Sequence, residues 1–262
     1  MSKTAVLVIS HGSRSADWVR LIDQAVAEVR LTDAGQHIPI VSSFLELIEG
    51  RLIQDGLDAL ERTGVTDIVV VPLFVSYGST HVEEIRYALG DVPRPSFETD
   101  MEPLRFRANI HVCPPLDDDP IVAHIVFDHL REMTIHPERE HVLLIGHGSE
   151  LPEFYAKWKT SMDTVARNLQ KLGGYAQVST ALLLPDETQA FMRAHQEEAA
   201  GQDVIVAPLF LSSGYFTNTV IPSRLNGFTY RYNGKALLPH AAVSRWMERT
   251  AGEALKLCMK PT

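Results

Sequence analysis

Cysteine is scarce in this sequence, with only Cys113 and Cys258 among 262 residues. Two cysteines are too few for a disulfide framework or for a cysteine-ligated metal cluster. Long hydrophobic runs are also missing, since no stretch reaches the roughly 18 apolar residues that a membrane helix needs. The amino-terminal segment 1–4, MSKT, does not show the cleavage pattern of a secretion signal. We therefore expect a cytoplasmic protein that makes no membrane contact.

Basic residues are fewer than acidic residues in this sequence. The chain has 24 Lys and Arg against 33 Asp and Glu, a formal net charge of -9 with the histidines neutral. Proteins that bind nucleic acid typically carry a basic excess, so this class is not expected. Apolar residues make up 45% of the chain, which supports a buried core and excludes a disordered or fibrous protein.

The sequence contains a long internal repeat. The segment 6–13, VLVISHGS, returns as 142–149, VLLIGHGS, and 67–74, DIVVVPLF, returns as 203–210, DVIVAPLF. Both offsets are 136 residues, from 142 − 6 and 203 − 67. Two matches at one offset and in the same order indicate a duplicated fold, with each copy about 130 residues long.

The duplication sets the predicted domain boundaries. We predict a first domain at 1–134 and a second at 140–262, joined by the polar, proline-bearing segment 134–140. Within each copy, short β-branched runs alternate with stretches of helical period. The runs are apolar throughout, which is typical of parallel strands covered by helices on both faces. The predicted fold class is α/β, with two tandem doubly wound domains.

Four strands and four helices are predicted in each copy. In the first copy the strands are at 4–10, 39–45, 67–74 and 108–113, and the helices at 15–31, 47–63, 80–89 and 119–133. In the second copy the strands are at 141–146, 175–183, 203–209 and 235–238, and the helices at 152–172, 186–199, 217–225 and 241–258.

Three polar side chains follow three predicted strands of the first copy: His11, Glu46 and His81. Ligand sites in doubly wound sheets lie beyond the carboxyl ends of the strands, so these side chains are expected to face one crevice. Imidazole binds metal ions and transfers protons near neutral pH. Each residue also has a structural alternative. His11 would be a turn histidine beside Gly12, His81 a solvated residue on a first helical turn, and Glu46 a helix-start carboxylate.

Three neighbouring carboxylates are not expected to be ligands, two of them being predicted as helix-terminal charges and one as a surface charge. Glu83 and Glu84 fall in the first turn of the predicted helix 80–89, where negative charge is favoured by the helix dipole. Glu49 lies on the exposed side by its spacing.

The second copy keeps one histidine without its partners. His147 occupies the place of the first histidine, whereas the positions that match Glu46 and His81 by offset hold Leu183 and Thr217. A single imidazole is a poor metal site and a poor acid–base group. We predict that His147 is a structural turn residue and that the chemistry resides in the first copy.

Aromatic residues follow the third strand of the second copy. Phe210, Tyr215 and Phe216 are predicted to pack in the core, with a cleft wall against a flat conjugated ligand as the alternative.

Several catalytic motifs are missing from the sequence. The segment 146–150, GHGSE, does not match the G-x-S-x-G elbow of α/β-hydrolases. No phosphate-binding loop and no H-E-x-x-H sequence occurs. Ser10 stands where the histidine phosphatases have an arginine before His-Gly.

The sequence resembles the sirohydrochlorin chelatases in three segments: HGS at 11–13, FLEL at 44–47, and PLF with the following glycine and histidine at 72–81. The long form of that family is a tandem of two such domains, so the resemblance covers the whole chain. It implies insertion of Co²⁺ or Fe²⁺ into the tetrapyrrole sirohydrochlorin, for cobalamin or sirohaem synthesis. It also implies that no cofactor is needed beyond the divalent metal.

The resemblance assigns roles to the three crevice residues. His11 and His81 would hold the metal ion and accept the pyrrole protons, and Glu46 would orient a histidine or relay a proton. Because Co²⁺, Fe²⁺ and Ni²⁺ all accept imidazole nitrogen, the ligand type does not choose among them. The alternative is a metal or tetrapyrrole carrier that uses the same residues without insertion, and an unrelated α/β hydrolase or transferase also remains open.

The implied substrate is itself strongly anionic, which conflicts with the acidic balance of the chain. A local patch of donors is therefore expected around the crevice. Arg14 is the best single candidate, with a helix-surface charge as its alternative. Further donors are expected at Ser13, Ser76, Gly78 and Ser79. A monomer with two pseudo-symmetric domains is expected.

Overall fold

The computed structural model describes residues 3–33, 36–198 and 202–258. Its elements, in chain order, are β1 (Thr4–Ser10), α1 (Ala16–Ala27), β2 (Thr32–Asp33), β3 (Gln36–His37), β4 (Ile40–Phe44), α2 (Ile53–Arg62), β5 (Asp67–Pro72), α3 (Thr80–Ala88), β6 (Asn109–Val112), α4 (Pro120–Leu130), a 3-10 turn (Pro137–Arg139), β7 (Glu140–Gly148), α5 (Pro152–Gly173), β8 (Gln177–Leu184), α6 (Thr188–Glu198), β9 (Asp203–Pro208), a π-helical turn (Phe216–Val220), α7 (Ile221–Arg224) and α8 (Ala241–Cys258).

The chain forms two compact units. Unit 1 combines Met1–Pro115 with Ala241–Thr262, and unit 2 is Leu116–His240. In unit 1, four parallel strands form a sheet in the order β4-β1-β5-β6. In unit 2, three parallel strands form a sheet in the order β8-β7-β9. The predicted parallel α/β sheets are confirmed.

Continuous apolar strands explain these sheets. Six consecutive residues of β1, from Ala5 to Ser10, are buried, because helices cover both faces of the sheet. Leu7 and Ile9 pack against α2 and α3 on one face. In unit 2, Leu143 and Ile145 of β7 pack against α6 and α7 in the same way. The core therefore sits on the sheet faces, and the carboxyl-end loops stay free to carry polar groups.

Two predicted helices differ from the structure. The helix predicted at 47–63 begins only at Ile53, because Leu47 and Gly50 adopt positive φ values of 68° and 76° and turn the chain first. The helix predicted at 217–225 is a π-helical turn followed by the four-residue α7.

The fourth strand predicted for the second copy, at 235–238, is wrong. This part of the chain meets the sheet edge only at two isolated bridges, Ile205 with Arg231 and Ser212 with Leu238. Gly234, with φ 68°, turns the chain between these bridges and prevents a continuous ladder.

The last helix of each sequence repeat packs in the other unit. Helix α4 contacts α5 and β9, whereas α8 contacts α1 and β5. On α8, the Ser244 hydroxyl donates to Glu28 at 2.8 Å, and Glu248 accepts the Arg30 N–H at 3.4 Å. The compact units therefore divide at 115/116 and 240/241, whereas the predicted join at 134–140 separates the two sequence repeats. An apolar helix face does not specify by itself which sheet it will cover.

Among the helices of the described residues, none combines the length and the apolar character that crossing a membrane requires.

Candidate active site

The segments that follow β1 and β4 run side by side. The Leu45 N–H donates to Ser10 O at 2.8 Å, and the Glu46 N–H donates to His11 O at 3.1 Å. Gly12 permits this approach, because its φ is 103° and a Cβ there would lie 2.1 Å from Glu46 O. As a result, His11 Nδ1 lies 3.5 Å from Glu46 Oε1.

His81 reaches the same place from the first turn of α3. Its ring meets the His11 ring edge to face, with centroids 4.8 Å apart and an interplanar angle of 76°. Both imidazoles are partly exposed. The structure thus brings together His11, Glu46 and His81 at the carboxyl edge of the unit 1 sheet.

A fourth side chain, Glu84, joins this group. Its Oε2 lies 2.8 Å from His81 Nδ1, and its side chain is only 14% exposed. The Thr99 hydroxyl donates to Glu84 Oε1 at 2.8 Å, and the Met101 N–H donates to Thr99 Oγ1 at 3.1 Å. Glu84, predicted as a helix-terminal charge, therefore lies near the start of α3 and also has a specific partner in His81. The i,i+3 spacing from His81 was the signal in the sequence that marked the pair.

Within the part of the chain that the structure describes, these contacts engage Nδ1 of each imidazole and no hydrogen bond engages Nε2. Glu84 engages Nδ1 of His81, while Nδ1 of His11 faces Glu46 and lies 3.2 Å from Gly12 O. An oxygen acceptor at Nδ1 selects the tautomer that keeps its lone pair on Nε2. Two such nitrogens can bind a divalent transition metal ion or accept protons.

The described residues contain no ready-made cage of three or more His, Cys, Asp or Glu side chains arranged to hold a metal ion. A two-imidazole site with carboxylates behind it leaves most coordination positions of an ion open. Such a site suits an ion that is held briefly and passed on, rather than one that stays as a structural centre.

The predicted donors around the crevice fall into two groups. Arg14 is exposed and has no carboxylate partner among the described residues, and Ser13 and Ser79 are partly exposed. In contrast, Ser76 is fully buried and its hydroxyl accepts the Gly78 N–H at 2.9 Å. The Gly78 N–H thus has an acceptor inside the fold, and a donor role of Ser76 and Gly78 toward a ligand stays a prediction.

Unit 2 has a ring contact like that between His11 and His81, but with a phenylalanine in place of the second histidine. His147 Nδ1 lies 3.1 Å from Gly148 O, as in unit 1, and its ring meets Phe216 with centroids 4.8 Å apart at 79°. These values nearly equal those of the His11–His81 contact. Phe216 therefore stands where His81 stands in unit 1.

The residues matched by sequence offset in the second copy are each displaced by one position. Thr217, predicted to replace the second histidine, is 1% exposed and bonds the Gly214 backbone instead. Leu184 rather than Leu183 takes the place of the glutamate, because a Cβ on Gly148 would meet Leu184 O at 2.1 Å. Neither replacement supplies a metal ligand or a base.

The aromatic side chains of unit 2 lie at this edge of the sheet. Phe210 and Phe216 stack with centroids 5.6 Å apart, but Tyr215 is 70% exposed and Phe216 is 37% exposed. The predicted core role is therefore wrong for Tyr215 and Phe216, whereas Phe210 packs against the unit 2 core.

The chain matches known proteins over most of its length. The family model CbiX matches residues 5–133 and 141–254. The sirohydrochlorin cobaltochelatase of Methanopyrus kandleri is 30% identical over 139 residues, which cover 49% of this chain and 95% of that protein. The sirohydrochlorin ferrochelatase of Priestia megaterium is 26% identical over 220 residues, which cover 82% of this chain and 76% of that protein.

A solved structure shares the fold. SirB from Bacillus subtilis with Fe³⁺ superposes with a TM-score of 0.72 at 22% identity, covering 96% of this chain and 95% of that one. The two stretches matched by the family model follow the two sequence copies, and the first contains His11, Glu46 and His81. The chain belongs to the CbiX family.

Proposed function

We propose that this protein is a sirohydrochlorin chelatase, a lyase-class enzyme that inserts a divalent metal ion into the tetrapyrrole for sirohaem or cobalamin synthesis. The observation that carries the proposal is the His11–His81 pair at the carboxyl edge of the unit 1 sheet, with a carboxylate beside each imidazole. The names of the two relatives, a ferrochelatase and a cobaltochelatase, support the same reaction.

The proposed mechanism follows from the bonds that metal insertion breaks and forms and from the protons that it releases. Two pyrrole N–H bonds break, two bonds form between pyrrole nitrogen and metal, and two protons leave the macrocycle. The Nε2 atoms of His11 and His81 hold the ion first. As the ion moves to the macrocycle, each vacated nitrogen accepts one pyrrole proton. Glu46 and Glu84 then stabilise the two imidazolium ions, because each carboxylate already faces an imidazole Nδ1.

Arg14 is proposed to bind a carboxylate of the substrate. The chain has a net charge of -9, so a polycarboxylate needs local positive charge in order to approach. Arg14 follows the site histidine by three residues and is not neutralised by an acid among the described residues. Ser13 and Ser79 are proposed as neutral donors at the same edge. Arg14→Ala is expected to raise the KM for sirohydrochlorin, and an unchanged KM would remove it from the site.

The test is anaerobic incubation with sirohydrochlorin and Co²⁺, Fe²⁺ or Ni²⁺, followed by the absorption change on metallation. His11→Ala and His81→Ala are each expected to lower the rate by about 100-fold or more, since each removes a metal ligand and a proton acceptor. His147→Ala is the matched control, because it removes an imidazole with the same backbone contact from unit 2, and its rate is expected to stay near wild type.

The outcomes separate the alternatives. No acceleration over the uncatalysed rate by the wild-type protein would reject the enzyme. Tight binding of the metal or the tetrapyrrole without turnover would then indicate a carrier. Full activity of both histidine variants would reject the site while leaving the reaction in place. Comparison of the three ions identifies the metal that the enzyme prefers.

A further inference from the structure

A groove opens beside the proposed site in unit 1. It has a volume of about 770 Å³ and lies between α1 and the turn that precedes α2. Its lining includes Ser13 and Arg14, which follow His11 in the chain, and Leu47, which follows Glu46. The groove is therefore lined by residues that are close in the chain to the site residues His11 and Glu46.

Leu47 is an unusual residue in two respects. Its φ is 68°, in the left-handed region that favours glycine, and its side chain is 49% exposed. Glycine takes the positive φ at position 50, three residues later in the chain, and at position 12, where an added Cβ would meet Glu46 O. A glycine at 47 would make the same turn without strain and without an apolar group in water. Strain of this kind at a non-glycine residue is typical of functional loops.

The carboxylate that lines the groove does not pair with Arg14. Asp23 lines the groove, but Arg51 binds it through two hydrogen bonds at 2.6 and 3.0 Å, and Ser42 donates to it at 2.9 Å. These contacts lower the pKa of Asp23, which stays ionised and paired with Arg51. Arg14 lines the groove together with the apolar Leu47 and has no carboxylate partner among the described residues.

We propose that Leu47 is a substrate-contact residue for the tetrapyrrole. An exposed apolar side chain and a guanidinium that line one groove match the periphery of a flat macrocycle that carries carboxylate substituents. Leu47 packs against the macrocycle edge, and Arg14 binds a neighbouring carboxylate in the groove. This assignment rests on the proposed chelatase function and adds the surface that orients the substrate beside the histidine pair.

The test substitutes Leu47 and measures substrate affinity. Leu47→Gly is expected to raise the KM for sirohydrochlorin about tenfold, the effect of losing one apolar side-chain contact. Its thermal midpoint is expected to stay the same or rise, since glycine relieves the left-handed backbone. Leu47→Asn removes the apolar contact and also tolerates positive φ, so it is expected to behave likewise. Leu47→Met keeps an apolar contact and is expected to stay within about twofold of wild type.

Leu52→Ala is the matched control. Leu52 is a nearby exposed leucine, at 38%, with an ordinary φ of −67°, so its loss is expected to leave KM unchanged. A wild-type KM for both Leu47→Gly and Leu47→Asn would overturn the assignment. An equal rise in KM for Leu52→Ala would also overturn it, because the effect would then be general to exposed leucines.

A second readout separates this proposal from the proposed function. Titration of metal-free sirohydrochlorin, followed by its own fluorescence, gives a Kd that does not depend on insertion. A tenfold weaker Kd for Leu47→Gly supports the contact even in a protein that does not metallate. If the wild-type enzyme is active but Leu47→Gly and Leu47→Asn keep its Kd and KM, the substrate contact of Leu47 is rejected and the proposed function is not.

Discussion

His81 Nδ1 lies 2.8 Å from Glu84 Oε2, and this pair decides which nitrogen of the imidazole stays free. Thr99 holds the carboxylate from its other oxygen at 2.8 Å. The ring of His81 is thereby oriented against that of His11, and none of the residues in the described ranges hydrogen-bonds to its Nε2. We expect Glu84 to position a histidine that faces the ligand, which is a common arrangement at metal sites.

The first prediction concerns this pair. Glu84→Gln removes the negative charge while keeping the shape, so it should weaken both Co²⁺ binding and metal insertion by about 10–100-fold. The measurements are kcat, KM and a Co²⁺ titration followed by the ligand-field absorption. Glu83→Gln makes the same change one residue earlier and should alter these values much less. Wild-type Co²⁺ affinity and kcat in Glu84→Gln would show that the carboxylate does not act through His81.

The second prediction uses two equivalent glycines. A Cβ on Gly12 would lie 2.1 Å from Glu46 O, and one on Gly148 would lie 2.1 Å from Leu184 O. Both glycines also have positive φ. Alanine at either position should therefore lower the free energy of unfolding by about 2–4 kcal/mol. Chemical denaturation of the two variants measures this loss.

The two glycine variants should differ in activity. Gly12→Ala displaces the backbone of Glu46, so folded protein should lose at least about tenfold in metal insertion rate. Gly148→Ala displaces only Leu184 and should keep its rate below the melting temperature. Equal loss of activity in the two variants would indicate that stability, rather than the position of Glu46, controls the rate.

The third prediction concerns the ring contact in unit 2. Phe216 occupies the place of the second histidine beside His147. In a His11→Ala, His81→Ala background, Phe216→His should create a second imidazole pair and restore measurable Co²⁺ binding. Phe216→Leu is the matched control and should not bind Co²⁺. If the histidine variant binds Co²⁺ no better than the leucine variant, the equivalence of the two contacts does not extend to metal binding.

The fourth prediction concerns acid stability. His141 is buried, its Nδ1 lies 3.2 Å from His195 Nδ1, and its Nε2 lies 2.8 Å from Ser179 Oγ. Burial, with His195 as a second cause, lowers the pKa of His141 to about 4 from its ordinary value of 6.5. A base with a lowered pKa in the folded state contributes stability that is complete above about pH 6.5 and is lost as the pH falls towards 4.

Urea denaturation at pH 7 and pH 4 tests this linkage. Protonation of His141 should account for about 3 kcal/mol of the stability lost between these values. His141→Ala, which installs the residue found at the matching position Ala5, should lose correspondingly less over the same interval. The same pH dependence in wild type and variant would mean that another group drives acid unfolding.

The fifth prediction concerns the exchanged helices. A fragment of residues 116–240 contains α4 and the whole of unit 2, so it should unfold cooperatively on its own. A fragment of residues 140–262 is the second sequence repeat, but it lacks α4 and carries α8 without the surface it covers. It should have weak tertiary structure, as measured by near-UV circular dichroism and thermal melting. A cooperative transition at the same temperature in both fragments would contradict the exchange.

The strand positions and the crevice could be predicted because their signals are local. An apolar β-branched run specifies a buried parallel strand, and the residue after it stands at the carboxyl edge of the sheet. His11 directly follows β1, whereas Glu46 and His81 lie two and nine residues beyond the ends of β4 and β5. The repeat shows in addition that the second copy lacks two of them, even though the residues named in their place, Leu183 and Thr217, each lie one position away from the structural equivalents.

The sequence by itself thus determined the duplication, the parallel sheets and the three side chains that converge in unit 1. Only the tertiary structure decided which unit receives α4 and α8, that Glu84 supports His81, and that Leu47 lies in a left-handed turn beside a groove. The physical reason is that periodicity reports which face of an element is buried, whereas the identity of the covering partner depends on surfaces distant in the chain. Ring contacts and loop turns likewise depend on a backbone path that only the packed fold defines.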